Sequence, residues 1–294
     1  MKKLFLTSIM LLAALVASAQ TKIAPKLTKG DKKSYKTVLV GSMNGQKEVK
    51  ITTVTDYKVV DQTATGYVLE CTNTSFESDA DENDLMGRFL SISQEMMKGI
   101  SVRAVTDKDG RVTGIQNFDE VNRNVNDLAS KLIDELLANQ SQIPLSKEVL
   151  MKQITEDISE AKLMESFQLT TSPLALNGKT IALGTQEDYI SNGMNMKRMY
   201  FPGADGSITA TGSLNMSKDQ IKQLIIDEVT KMAPDQAEMV KQNIDMFMQS
   251  MKVEMNEKAV YTLNADGWVK TIQSENSSDS MGQKSSMKAT ITLQ

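Results

Sequence analysis

The chain has 294 residues, no histidine, a single cysteine and 33 basic against 37 acidic residues. Without histidine, Ser-His-Asp and Cys-His catalysis and ordinary zinc sites are closed off; with one cysteine there is no internal disulfide. The net charge of −4, with no long Lys/Arg cluster, suits neither nucleic acid nor an anionic membrane surface.

Met1-Lys2-Lys3, an apolar run from Leu4 to Val16 and the small-x-small triplet Ala17-Ser18-Ala19 read as a secretory leader, with cleavage after Ala19. Loss of Lys2 and Lys3 leaves 31 basic against 37 acidic residues, a net charge of −6. No later stretch reaches the roughly 20 apolar residues of a transmembrane helix. The expected product is exported, periplasmic or extracellular, and rests on a core that buries roughly 70–75% of its unfolded surface.

Strand signals follow the leader. KSYKTVLVG, KEVKITTVTDYKVVD and TGYVLECTNTS are rich in β-branched residues and separated by turn-forming SMNGQ and DQTATG; Asn44-Gly45 marks a hairpin. Alternation in the third run puts Tyr67, Leu69 and Cys71 on one face, which reads as a buried, inert thiol. From Asp84 the period becomes helical and ends at Gly99. Strands ISVRAV and RVTGIQ flank an Asp-Gly turn, and an amphipathic helix runs from Phe118 to about Ala138. Ser146 caps a further predicted helix carrying Val149, Leu150, Ile154 and Ile158.

SPLALNGK reads as a loop between two halves. Beyond it, TIALGTQEDYI, MKRMYFPG and GSITATGSLNM are predicted strands. Ser217 and Gln220 form a capping box, and Pro234 opens a helix with Val240, Ile244, Phe247, Met248 and Met251 on one face. KAVYTL, a second Asp-Gly turn, WVKTIQS, the polar loop SENSSDSMGQKSS and SMKATITLQ close the chain. TDKDGRVTGIQN and LNADGWVKTIQS match at an offset of 157, so Asp109-Gly110 corresponds to Asp266-Gly267. Glycine takes positive φ freely, so the echo reads as a recurring hairpin turn. The expected fold is α+β: two related β-α-β halves, residues 20–145 and 146–294, either separate or joined as one continuous domain, with an antiparallel sheet, in its curled form a half-barrel, packed against amphipathic helices.

APKLTKGDKKSYKT resembles the opening K-x-x-K-G-D-x-x-x-Y strand of a family of exported Bacteroidota proteins with a domain of unknown function. LNGKTIALGTQEDY resembles that family's mid-chain P-x-K-x-V-x-x-G-D-x-W, keeping Gly184 and replacing the Pro and the Asp-x-Trp. The family implies no functional residue. At the level of fold, strands wrapped around helices in an exported protein resemble the half-barrels of lipoprotein carriers and lipid-binding envelope proteins. Asp279-Ser280-Met281 resembles the O-glycosylation sequon of the same bacteria, with Ser280 as acceptor.

Asp79, Asp81 and Asn83 repeat the alternating oxygen ligands of a calcium loop, although Asp84 and Leu90 stand where Gly and a bidentate Glu belong; the competing reading is an acidic helix N-terminus. Methionine is abundant, with 20 residues. Met239, Met246, Phe247, Met248 and Met251 are the candidate lining of an apolar site, weighed against ordinary core filling. The expected function is a non-enzymatic binding protein for an apolar ligand, a lipid or envelope component, without a cofactor. The alternatives are an envelope interaction module without a cavity and, more remotely, a histidine-free hydrolase whose paired carboxylates converge in one cleft.

Overall fold

Eleven antiparallel strands hydrogen-bond edge to edge in one open sheet. A computed structural model describes residues 20–45, 47–81, 90, 98–139, 147–148, 151, 159–191, 193–232, 234–250, 253–280 and 283–294. The leader, most of the helix expected from Asp84 and nearly all of the helix expected after Ser146 lie outside the described residues.

The sheet contains β2 (Lys32–Met43), β3 (Val49–Gln62), β4 (Gly66–Ser78), β5 (Ser101–Asp107), β6 (Val112–Ile115), β8 (Thr185–Ser191), β9 (Met194–Pro202), β10 (Ile208–Leu214), β11 (Val253–Leu263), β12 (Val269–Ser280) and β13 (Gln283–Leu293). Their spatial order is β6-β5-β4-β3-β2-β13-β12-β11-β10-β9-β8. Pairing of β13 with β2, from Ser285↔Met43 to Leu293↔Tyr35, joins strands of the two halves. A separate ribbon pairs β1 (Thr21–Lys22) with β7 (Thr180–Ile181). The described helices are α1 (Phe118–Asn139), α2 (Glu160–Ser166), α3 (Lys218–Met232) and α4 (Pro234–Ser250).

The expectation of an α+β protein built from two β-α-β halves is corrected by this architecture, which is predominantly antiparallel β with few helices. Two causes explain the difference. The expected loop SENSSDSMGQKSS continues β12 into β13, paired through Ser278↔Ser285 and Ser280↔Gln283. Strands paired on both sides satisfy their backbone groups without apolar alternation, so serine-rich sequence is tolerated there. Among the described helices, α3 and α4 do not lie on the sheet as a layer: they pack on each other through Ile221, Ile225, Val240, Ile244 and Met248, touching the sheet at Val253.

The six longest strands run 11 to 14 residues, about twice the usual length, and side chains alternate between two faces. The inner face carries Tyr35, Tyr57, Leu69, Ala104, Tyr200, Ala210, Ala259, Tyr261, Ile272 and Ile291, all buried in one core. The outer face carries Lys36, Lys58, Lys258, Gln273, Lys288 and Thr290, all exposed. At the end bearing the two Asp-Gly turns, the core is closed by Ile23 and Leu27 and by residues 170–177, which are nearly all buried. SPLALNGK is therefore a loop that serves as core, with Leu174, Ala175 and Leu176 under 5% exposed. The short edge strand β6 is capped by α2: Ile115 N–H donates to Glu160 Oε1 at 3.0 Å, which blunts that edge.

Candidate functional site: a trough on the inner face

Among the described residues the core covers one end of the long strands and leaves the other end of the same face open, with Leu90 at its border. There a cleft of 890 Å³ is lined by Leu39 and Gly41 of β2, Val49 and Ile51 of β3, Met194 and Met196 of β9, Val253, Met255 and Glu257 of β11, Asn276 and Ser278 of β12, and Ser285 and Met287 of β13. Strands β3 and β9 are six spacings apart in the sheet, about 29 Å were it flat. The cleft is thus a trough crossing the strands, with walls supplied by both halves of the chain. A 500 Å³ cleft adjoins it at the foot of the α3–α4 hairpin, between Leu214, Ile221, Met248 and Met255.

A buried charge network stands between trough and core. Alternation along β9 turns Met196, Arg198 and Tyr200 inward, so a guanidinium 1% exposed lies among apolar residues. Arg198 Nη1 donates to Glu187 Oε1 at 3.0 Å and to the Gln168 carbonyl at 3.1 Å; Nη2 donates to Glu257 Oε2 at 3.2 Å. The Tyr189 ring lies 3.9 Å from the guanidinium carbon. Tyr189 O–H donates to Glu257, Lys179 to Glu187, and Tyr200 O–H to Glu187 at 2.5 Å. Gly212 makes room for this cluster, because a Cβ there would lie 2.8 Å from Glu257 Cγ and 2.9 Å from the Tyr189 hydroxyl.

Two cations face two carboxylates, so the network is closed in charge. Burial works against the charge on Arg198, but the surrounding Tyr200, Glu257 and Tyr261 oxygens more than offset it and hold its pKa above the ordinary arginine value. Burial likewise pushes the Glu187 carboxyl up, and Lys179, Tyr200 and Arg198 outweigh it and hold it below the ordinary glutamate range. Lys179 is lowered, chiefly by burial and against the pull of Glu187. Nothing in the residue pattern of the chain except the inward phase of MNMKRMY announces this cluster.

The candidate residues named from sequence are placed as follows. Met248 is 7% exposed, packed between α3 and α4 at the foot of their hairpin. Met239 and Met246, at 62% and 66%, lie on the open side of α4. Met251 and the Phe247 side chain lie outside the described residues. The methionines that line the trough are Met194, Met196, Met255 and Met287, all on strands. Asp79 is exposed and closes the β3–β4 ladder, accepting the Lys50 N–H at 2.7 Å; Asp81 is exposed, and Asn83 lies outside the described residues. Among the described residues no three His, Cys, Asp or Glu side chains gather as a metal site. Ser280 ends β12, opposite Gln283, and its side chain lies outside the described residues. Cys71 is free and buried, and burial pushes its thiol pKa up. Among the described residues no helix is long and apolar enough to cross a membrane.

No family model and no curated protein matches the chain. Among solved structures, a lipovitellin described for its lipid–protein interactions aligns at 9% identity with a TM-score of 0.44, over 92% of this chain and 25% of its own. The chain thus spans about a quarter of that protein's length. A porin-like protein from Bacteroides uniformis aligns at 10% identity with a TM-score of 0.21, over 93% of this chain and 99% of its own. Both are weak similarities.

Proposed function

We propose that the chain is a non-enzymatic binding protein of the cell envelope that holds an apolar ligand, a lipid or another envelope component, in the trough. The observation that carries this reading is the half of the inner face that the described residues leave unfilled: an 890 Å³ cleft walled by Leu39, Val49, Ile51, Met194, Met196 and Met255. That volume falls within the range of small-molecule sites, and methionine walls adapt to flexible apolar shapes. A filled interior would have favoured the interaction module without a cavity. The carboxylates Glu187 and Glu257 do converge, but on Arg198, which engages both; this supports a structural role for them over a hydrolytic one. Export is the other part of the proposal and rests on the leader-like sequence of residues 1–19.

Native mass spectrometry of the chain purified from its exported compartment, repeated after organic extraction, tests the reading. A discrete extra mass that leaves with the solvent is expected. An unliganded mass in every preparation, with no uptake of added lipid, overturns it.

A further inference from the structure

The polarity of the trough is not uniform, and its pattern narrows the ligand. In spatial order the inner-face lining runs from Val49 and Ile51 on β3 and Leu39 on β2, through β13 and β12, to Met255 and Val253 on β11 and Met196 and Met194 on β9. Two apolar arms therefore flank a strip on β12 and β13 that carries Ser285, Ser278 and Asn276, with Met287 beside Asn276. The serines are register partners with their hydroxyl oxygens 2.7 Å apart, and each retains unused hydrogen-bonding capacity. Asn276 accepts from Ser274 Oγ at 3.4 Å through its side-chain oxygen, which leaves its amide N–H groups to the trough.

Charge completes the pattern. Among the described residues the charged side chains that line the trough are Lys47, Glu254 and Glu257. Glu257 is already engaged by Arg198 and Tyr189, and Lys47 is exposed in the β2–β3 turn. Among the described residues the strip itself therefore presents hydroxyl and amide groups and no cationic side chain, so an anionic head there would give up its hydration without a counter-charge.

Resting on the apolar-ligand reading, we infer that the trough takes an uncharged amphiphile with two apolar limbs joined at an ester- or hydroxyl-bearing centre, the centre on the β12–β13 strip and one limb along each arm. The limbs bury apolar surface on both sides, and the strip meets the only polar part of the ligand.

The test uses the full exported chain, freed of co-purified ligand by refolding from guanidinium. Dioleoylglycerol, dioleoylphosphatidylglycerol and oleate are offered in the same neutral detergent, and bound species are read by native mass spectrometry. Dioleoylglycerol is expected to bind at least ten-fold better than either competitor. Equal or better binding of the phosphatidylglycerol overturns the uncharged centre, and equal binding of oleate overturns the two limbs; in both cases the apolar-ligand reading stands. Binding of none of the three defeats that parent reading itself. Ser278→Lys, or Ser285→Lys should the first fail to fold, is expected to shift preference at least ten-fold toward the phosphatidylglycerol. An unchanged preference in a folded lysine variant removes the centre from the strip.

Discussion

Gly110 and Gly267, which correspond at the 157-residue offset, face the same residue, Pro25. A Cβ on Gly110 would stand 3.1 Å from Pro25 Cγ, and one on Gly267 would stand 3.0 Å from Pro25 Cα and 2.9 Å from the Ala24 carbonyl oxygen. Both glycines have φ of +81°. Each ends a turn closed by matching bonds: Gly110 N–H to the Asp107 carbonyl at 3.1 Å, and Gly267 N–H to the Asn264 carbonyl at 3.0 Å. The repeated Asp-Gly motif thus builds two jaws on the segment Ile23–Leu27. Trp268 completes one of them, its indole N–H donating to the Lys26 carbonyl at 3.3 Å.

A third turn of the same kind supplies the control. Gly206 has φ of +79°, and a Cβ there meets nothing within 4 Å. Alanine at any of the three incurs the left-handed penalty of about 1–2 kcal/mol. Gly267→Ala adds a backbone clash, and Gly110→Ala a clash with a proline ring and the Asn177 amide. Urea unfolding is expected to rank the losses Gly267→Ala, then Gly110→Ala, then Gly206→Ala. A Gly267 variant no less stable than the Gly206 variant would sink the jaw interpretation.

These turns were legible in sequence because turn chemistry is local. So was the capping box, where Ser217 N–H donates to Gln220 Oε1 at 2.8 Å and Gln220 N–H to Ser217 Oγ at 3.2 Å. Asn44-Gly45 was legible too, with both residues at positive φ. The length of β12 and β13 was not, because Asn276, Ser277 and Ser278 hold strand geometry through pairing with β11 and β13 rather than through an apolar alternation of their own. The trough was not legible for a related reason. Helical spacing drew attention to Met239 and Met246, whereas Met194, Met196, Met255 and Met287 meet only once β9 to β13 are laid side by side. Buried Arg198 was hidden because its carboxylate partners lie 11 and 59 residues away.

Arg198 is expected to be the most costly polar residue to remove. Arg198→Met leaves Glu187 and Glu257 without their shared cation, and breaking such a buried pair costs about 3–5 kcal/mol. Adding Glu257→Gln to that variant should restore part of the loss, because one stranded charge is then gone. Denaturant titration of both proteins checks this; a single variant within 1 kcal/mol of the parent means that water reaches the network.

The same network sets an acid dependence. Glu187 has a folded pKa below its unfolded value, so the folded state binds fewer protons between the two. Its stabilisation is complete above about pH 5 and is lost as pH falls through the folded value. Stability measured against pH should therefore fall less steeply on the acid side for Glu187→Gln than for the parent. Parallel curves would assign the acid sensitivity to other carboxylates, such as Asp56 or Asp266, whose pKa values are also lowered.

Cys71 should report opening of the core. The residue is 8% exposed and its thiol pKa is raised by burial, and only the thiolate reacts readily. Iodoacetamide at pH 8 is expected to leave the folded chain unmodified while labelling it fully in denaturant. Rapid labelling without denaturant would mean that β3, β4 and β5 separate under native conditions.

Gly41 offers a way to separate binding from stability. It lines the trough on β2, and a Cβ added there meets only the Ser286 carbonyl oxygen, at an ordinary 3.6 Å. Replacing glycine inside a strand by an aromatic residue removes backbone freedom from the unfolded chain and improves strand propensity. Gly41→Phe should therefore keep or raise the melting temperature while its ring occupies the trough between Leu39, Val49 and Met287. The expected result is a folded protein that has lost its extractable mass in native mass spectrometry. A Phe variant that melts like the parent and still carries the full ligand load would place the ligand elsewhere on the molecule, because no bound chain could share that part of the trough with the ring.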